Sequence, residues 1–476
     1  MSSNDTELNK LRKDSVSSDP TIKLQAVETL RKNLSNENPP IQQAIDNGFV
    51  PILVSCLLEN DTSKLTFEAA WALTNITSGT TEPVAVVVRA GAVPKFIQLL
   101  SSSNLDVCEQ VIWALGNIAG DSTKYRDLVL QAGALQPLLA QLNADAKLSV
   151  LKVGTWVVSN LCSGKPKPEF ALVCPALTTL SQLSSQLDDE ILTDVCSALS
   201  DLSAGSNANI AAVIESGVTP RVVELLMHSS SKVQKYALKI IGNLVSGDNL
   251  QTQIVINCSA LPRLLSLLSS VKKSIKKEAC WTISNITGGT TDQIQAVIDA
   301  NIIPPLINLL SHVNFDIKKE AAWAIANATS GGTPEQIEYL ISKGCIPPLC
   351  NLLNVHDNSI VTVTLEGLEN MLKMGETAMR EKGLPDNLVV QLVENAEGLD
   401  KMYALQQHEN VDVYEKSLKI LECYFGAVDD GNEAAGPSIG SQGTFGFGGD
   451  ETFDGNSSVA FVCFVCSSVT CIVIYF

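Results

Sequence analysis

The sequence predicts an all-α fold, a right-handed solenoid of about ten three-helix repeats. A side-chain pattern with a constant beat, a turn marker with the same beat, and an aliphatic composition predict it. The pattern is Trp-x-x-x-Asn: Trp71-Ala-Leu-Thr-Asn75, Trp113-Ala-Leu-Gly-Asn117, Trp156-Val-Val-Ser-Asn160, Trp281-Thr-Ile-Ser-Asn285 and Trp323-Ala-Ile-Ala-Asn327. Lys239-Ile-Ile-Gly-Asn243 and Glu366-Gly-Leu-Glu-Asn370 keep the register without the indole. With Asp201 as the fourth member, the last position recurs at 75, 117, 160, 201, 243, 285, 327 and 370, at intervals of 41 to 43 residues.

The turn marker is a glycine three residues before a proline: Gly48 and Pro51, Gly91 and Pro94, Gly217 and Pro220, Gly344 and Pro347. Ser259 and Asn301 take the glycine position before Pro262 and Pro304, and Gly133 is followed by Gln136 instead. Proline here reads as a first-turn helix residue, where its missing N–H costs nothing. The apolar run after it, as in Lys95-Phe-Ile-Gln-Leu-Leu100, has helical spacing. Each repeat is therefore expected to hold a short helix, a longer helix starting at the proline, and a third helix carrying Trp-x-x-x-Asn.

The composition agrees. The chain is 45% apolar but only 5% aromatic, so its core must be built from Leu, Ile, Val and Ala, which suits packed helices. A repeat of 40–47 residues with two or three helices is the armadillo/HEAT class. No such repeat encloses its own apolar face, so stacked neighbours supply the core and the terminal repeats are atypical caps. The expected divisions are a short polar segment at 1–21, the armadillo-repeat solenoid at 22–426, an acidic, Gly-rich disordered tail at 427–458, and an apolar tail at 459–476. The first repeat is partial, with Lys23–Ser35 as its third helix, and Val413–Phe425 closes the last.

The third helices carry the candidate function. Trp and Asn four residues apart share one helix face, and a constant register lines them up as two ladders. Lone tryptophans on amphipathic helices are usually core, but here Ala70, Leu73 and Ile76 already fill the core stripe. An Asn amide matches one N–H and one C=O of an extended peptide. Indole faces between the amides form slots for aliphatic stems, with cation–π attraction for ammonium or guanidinium groups. Asp121, Glu278 and Glu320 at the slot ends would complete recognition of Lys or Arg. The formal charge of −18 points the same way, repelling nucleic acid and anionic lipid and attracting basic partners.

These residues resemble the importin alpha (karyopherin alpha) family, and longer stretches agree: Asn257-Cys-Ser-Ala-Leu-Pro262, Lys277-Glu-Ala-Cys-Trp-Thr-Ile-Ser-Asn-Ile286 and Thr329-Ser-Gly-Gly-Thr-Pro-Glu-Gln-Ile337. The resemblance implies a nuclear import adaptor, moving between cytoplasm and nucleus, that binds the Lys/Arg-rich localisation signals of cargo proteins. It implies a major site at Trp71, Asn75, Gly79, Trp113, Asn117, Asp121, Trp156 and Asn160. It implies a minor site at Asn243, Val245, Thr252, Glu278, Trp281, Ser284, Asn285, Glu320, Trp323 and Asn327, with a bipartite signal spanning both. Departures from the family are Val84 for a threonine in the lysine pocket, Ser197 for a tryptophan, Asp201 for a tyrosine, and Lys239 for an arginine that separates the two sites. Only Lys10, Arg12 and Lys13 precede the first repeat, where the family has a long basic segment that binds importin beta and folds back as an inhibitor. The chain is thus expected to bind cargo without autoinhibition and not to recruit importin beta; truncation or gene-model error is favoured over divergence. A nuclear export receptor is a further expected partner, at the C-terminal repeats.

Other function classes find less support. A signalling or adhesion scaffold of the same fold, which is the alternative, would need Lys and Arg along the third helices. No cofactor, metal or catalytic residue is expected: the four histidines lie far apart in sequence, and no Walker-type loop appears. Ten of the thirteen cysteines fall in helical patterns rather than a spaced framework, and residues 1–20 hold no apolar leader, so a reducing intracellular compartment is expected. In the tail, the Phe-Gly pairs at 445–448 are weak as nucleoporin-like contacts. The run at 459–476 is long enough for an anchor but has no basic flank, so translated non-coding sequence is the preferred reading. Cys463, Cys466 and Cys471 lack a fourth ligand for zinc.

Overall fold

A computed structural model describes residues 3–58 and 63–426; the expectations for the tail at 427–476 fall outside them. The described residues form helices and no strand. They make two compact units, Met1–Ser270 and Val271–Phe476.

The chain is an all-α solenoid, and repeat 3 shows how its repeats are built. A first helix, Thr81–Arg89, turns into a second, Ala92–Leu99, and a loop leads to the third, Leu105–Asp121. The first turn needs one left-handed residue, Gly91 at φ 79°, a conformation that costs a residue with a Cβ about 1–2 kcal/mol. Gly48, Gly133, Gly217 and Gly344 repeat it, and Ser259, Asn301 and Glu397 adopt it despite their side chains. The proline then falls in the first turn of the second helix, as in Ala92–Leu99 and Ile303–Leu309. The second helix is not the longer of the two, as the sequence suggested: the first has 9 residues and the second 8 in repeat 3. The apolar run continues past the helix end, with Leu100 as a buried cap, which is why it overstates the length.

In the first unit the third helices Pro20–Leu34, Ser63–Thr77, Leu105–Asp121, Leu148–Cys162, Asp189–Leu202 and Ser231–Val245 pack each on the next. In the second, Lys273–Thr287, Phe315–Gly331, Asn358–Lys382 and Val411–Tyr424 do the same. Ala70, Leu73 and Ile76 are fully buried, as their register demands. The expected polar segment at 1–21 is largely a helix, Ser3–Asp14, packed on Pro20–Leu34. Leu8 and Leu11, three residues apart, give it one half-buried face.

Polar side chains also join repeats. Thr333 and Gln336 close a capping box at Pro334–Ser342, and the Gln336 amide reaches back to Thr291 O at 2.9 Å. The cysteines of the described residues are free thiols. Burial pushes Cys162, Cys196 and Cys280 up to about 12, which leaves them unreactive as nucleophiles at neutral pH.

Candidate peptide-binding site

In the first unit the indoles differ from one another. Trp113 is 48% exposed, the most open of the ladder. Trp156 is half-buried, because its ring lies against Gly116 of the preceding third helix, where any Cβ would overlap it. Gly120, one turn on, makes the same room for the Asn160 amide: a Cβ there would stand 2.9 Å from Nδ2. Two glycines inside one helix cost about 1 kcal/mol each relative to alanine, and the close approach of the next rung is what they permit. Trp71 is already engaged. The Arg31 guanidinium lies 4.2 Å from its ring centroid, Glu68 holds the Arg31 Nε at 2.7 Å, and Phe67 meets its edge.

The amides are not free, contrary to the sequence expectation. Asn117 Nδ2 donates to Thr74 O at 3.2 Å, Asn160 to Gly116 O at 3.3 Å, and Asn243 to Ser200 O at 3.0 Å. Asn75 Nδ2 donates to Ser35 Oγ at 2.9 Å. Each half-buried amide thus ties its repeat to the one before and retains Oδ1; Asn75 and Asn160 also keep a second N–H, whereas Asn117 and Asn243 donate again, to Thr77 Oγ1 at 3.3 Å and Ser203 Oγ at 3.0 Å. Gly79 is exposed, and Asp121 is half-buried with a buried Oδ2 that has no hydrogen-bond partner. Val245 and Thr252 are buried, with the Thr252 hydroxyl donating to Val245 O, so they stand behind the surface. Val84, the residue in place of the family threonine, is buried too.

Trp113 and Trp156 line a recess of about 760 Å³ with Glu109, Asp189, Glu190 and Asp194, and with Lys152 and Lys232. Burial, reinforced by Glu190, pushes Asp194 up to about 6. Lys152 is spoken for, paired with Asp188 at 3.0 Å and with Glu190 at 2.5 Å. An apolar slot between two indoles, rimmed by carboxylates, is built to take an aliphatic stem ending in a cation.

The second unit carries the same devices. Trp281 and Trp323 are half-buried, and Asn327 Nδ2 donates to Ser284 O at 3.0 Å. Ser284 is buried, its hydroxyl on Trp281 O, so it serves the ladder through its carbonyl. Asn285 Nδ2 is buried with no hydrogen-bond partner. Glu278 is half-buried and Glu320 is buried. Burial pushes Glu320 up to about 7, with Glu278 and Asp316 adding to the shift and Lys277 and Lys319 opposing it.

A sign follows for pH. A cation at Glu320 binds the carboxylate and not the acid, so binding expels a proton below pH 7. With Trp113 and Trp156 replaced to silence the first unit, affinity for a lysine-rich peptide should fall about tenfold from pH 8 to pH 6. Fluorescence titrations at the two pH values check this, and Glu320→Gln should flatten the profile.

Among the described residues no three His, Cys, Asp or Glu gather as a metal site, and no helix is long and apolar enough to cross a membrane. One catalytic pattern does occur in the sequence, Gly436-Pro-Ser-Ile-Gly440. It lies outside the described residues, in a Gly- and Ser-rich stretch of the sequence.

The armadillo/beta-catenin-like repeat model matches residues 37–78, 80–120, 122–163, 206–246, 248–288, 290–330 and 333–373, and an atypical Arm repeat model matches 387–438. The chain is 57% identical over 435 residues to importin subunit alpha-1a of Oryza sativa subsp. japonica, covering 91% of this chain and 83% of that one. It is 56% identical over 438 residues to importin subunit alpha-1b of the same plant, covering 91% and 82%. The chain belongs to the importin alpha family. Its fold is also similar to the crystal structure of an engineered protein, at a TM-score of 0.76 and 27% identity, covering 87% of this chain and 98% of that one. Within the importin alpha frame, residues 164–205 stand out: they fall between matched armadillo segments and carry Ser197 and Asp201 at the ladder positions.

Proposed function

We propose that this member of the family is a nuclear import adaptor that binds the basic localisation signals of cargo proteins along its third helices. The observation that carries the reading is the recess between Trp113 and Trp156, rimmed by Glu109, Asp189, Glu190 and Asp194. Its slot suits lysine and arginine stems, and beside it Asn160 keeps an N–H and an Oδ1, and Asn117 an Oδ1, for an extended backbone. Trp281 and Trp323, with Glu278 and Glu320, offer a second site of the same chemistry in the second unit. Cargo is released and taken up between cytoplasm and nucleus, and the adaptor makes and breaks no covalent bond. A scaffold for acidic ligands would need cations facing outward, whereas Lys152 in the recess is held by Asp188 and Glu190.

Titration of a labelled lysine-rich peptide, beside the same peptide with glutamate for lysine, tests the reading. Micromolar or tighter binding of the basic peptide alone supports it; equal binding of both, or of neither, overturns it.

A further inference from the structure

The rung of repeat 5 differs in chemistry from its neighbours. Ser197 presents no indole, and Asp201, when ionised, has no N–H to donate to the preceding repeat as Asn117, Asn160 and Asn243 do. A lysine stands there instead. Lys167 reaches over from the loop after Leu148–Cys162, and its Nζ donates to Asp201 O at 2.8 Å and Ala204 O at 3.1 Å. It lies 4.0 Å from Asp201 Oδ1. The amine thus caps the carbonyl end of Asp189–Leu202, where a positive charge is favoured.

The loop that delivers Lys167 is fastened from beneath. Arg126, 1% exposed, donates through Nη1 to Ser163 O at 2.5 Å and Pro166 O at 2.9 Å. Asp127 balances its charge at 2.7 Å. Gly164, at φ 108°, is the residue the guanidinium passes: a Cβ there would stand 2.7 Å from Nη1. The stem of Lys167 therefore starts from a fixed point, and only its amine is free to leave.

The pair is not closed to competitors. The Lys167 side chain is 42% exposed and that of Asp201 23%. Burial pushes the Lys167 amine down and the Asp201 carboxyl up, against the pull of each on the other, so each lacks part of the solvation its charge needs. Lys239, at the indole position of repeat 6, adds a second positive charge close enough to act on both. A cargo lysine arriving at this rung would need the carbonyls and carboxylate that Lys167 already holds.

We propose that Lys167 is an internal stand-in for a cargo lysine, which occupies the rung of repeat 5 and ends the first unit's peptide track at Trp156. The inference rests on the reading that the track binds basic peptides. It makes the loop at 163–168 a determinant of signal length: short basic clusters over Trp113 and Trp156 bind unhindered, and longer ones gain nothing beyond. Neighbouring third helices lie about 8–10 Å apart and an extended chain rises about 3.3 Å per residue, so one rung takes about three residues.

The test compares a short lysine-rich peptide with two versions lengthened by three lysines, one at each end, on the full chain with Trp281 and Trp323 replaced by alanine. In the otherwise unchanged protein, neither extension should raise affinity more than about twofold. In Lys167→Gln, one of the two should raise it about fivefold or more, the short peptide binding as before, and Lys167→Arg should behave as lysine does. Equal gains with and without Lys167, or Lys167→Arg matching Lys167→Gln, would overturn the inference while leaving peptide binding standing. Failure of the short peptide to bind any of these proteins would overturn the reading beneath it as well. Circular dichroism melts confirm that the variants remain folded.

Discussion

Replacing Trp113 and Trp156 together by alanine should weaken binding of a lysine-rich peptide to the first unit about fiftyfold. Each indole face offers a cation about 0.5–2 kcal/mol, and the two face one recess, so their losses fall on the same ligand. Trp71→Ala is the comparison that separates groove chemistry from general damage. Its ring face is already covered by Arg31, so removing it should cost an incoming peptide about threefold or less. Titrations on chains lacking Trp281 and Trp323 would read the two effects without the second site. If Trp71→Ala proved as costly as the pair, cation–π capture at Trp113 and Trp156 could not be the source of affinity. The stability effects run in the opposite order. Trp71 packs on Phe67 and the Arg31–Glu68 pair, while Trp113 stands half in solvent, so Trp71→Ala should lower the melting temperature more than Trp113→Ala.

The repeats were legible because their causes are local. A left-handed turn residue, a proline in the next helix's first turn and an apolar stripe recur in most copies, and repetition averages out the ambiguity of any single one. Ser259 was legible only through the beat, since serine does not favour a positive φ by itself, whereas Asn301 is of a type enriched there. The site was legible in outline: register alone puts Trp and Asn on one face. What register does not reveal is which partner a polar side chain takes. The amides tie repeats together because the carbonyl they meet belongs to a residue 43 or 44 positions earlier, beyond any local pattern. Arg31 over Trp71 and Lys167 at Asp201 depend on loop paths in the same way. One further signal of close approach is present in the sequence. Gly116 and Gly120 inside a third helix make sense only where a neighbour's side chains come close, and Trp156 and Asn160 do.

Asp121 yields the prediction in which stability and binding move in opposite directions. It closes the helix Leu105–Asp121, whose last turn holds no basic residue, so its charge faces the negative end of the helix dipole. Its Oδ2 is buried without a hydrogen-bond donor, a deficit worth about 1–3 kcal/mol in a folded protein. A carboxylate kept at such a place, beside Trp113 and Asn117 on the same helix, is stabilised when an ammonium group arrives. Asp121→Asn should therefore raise the melting temperature of the free chain slightly, by removing the charge from the negative end of the helix dipole, while weakening a lysine-rich peptide about tenfold. Asp121→Lys puts a like charge where the cargo ammonium would sit and should weaken it about a hundredfold. Melting curves and titrations on the same preparations decide the matter. Were Asp121→Asn to destabilise the chain and spare the affinity, the carboxylate would belong to the fold and not to the ligand.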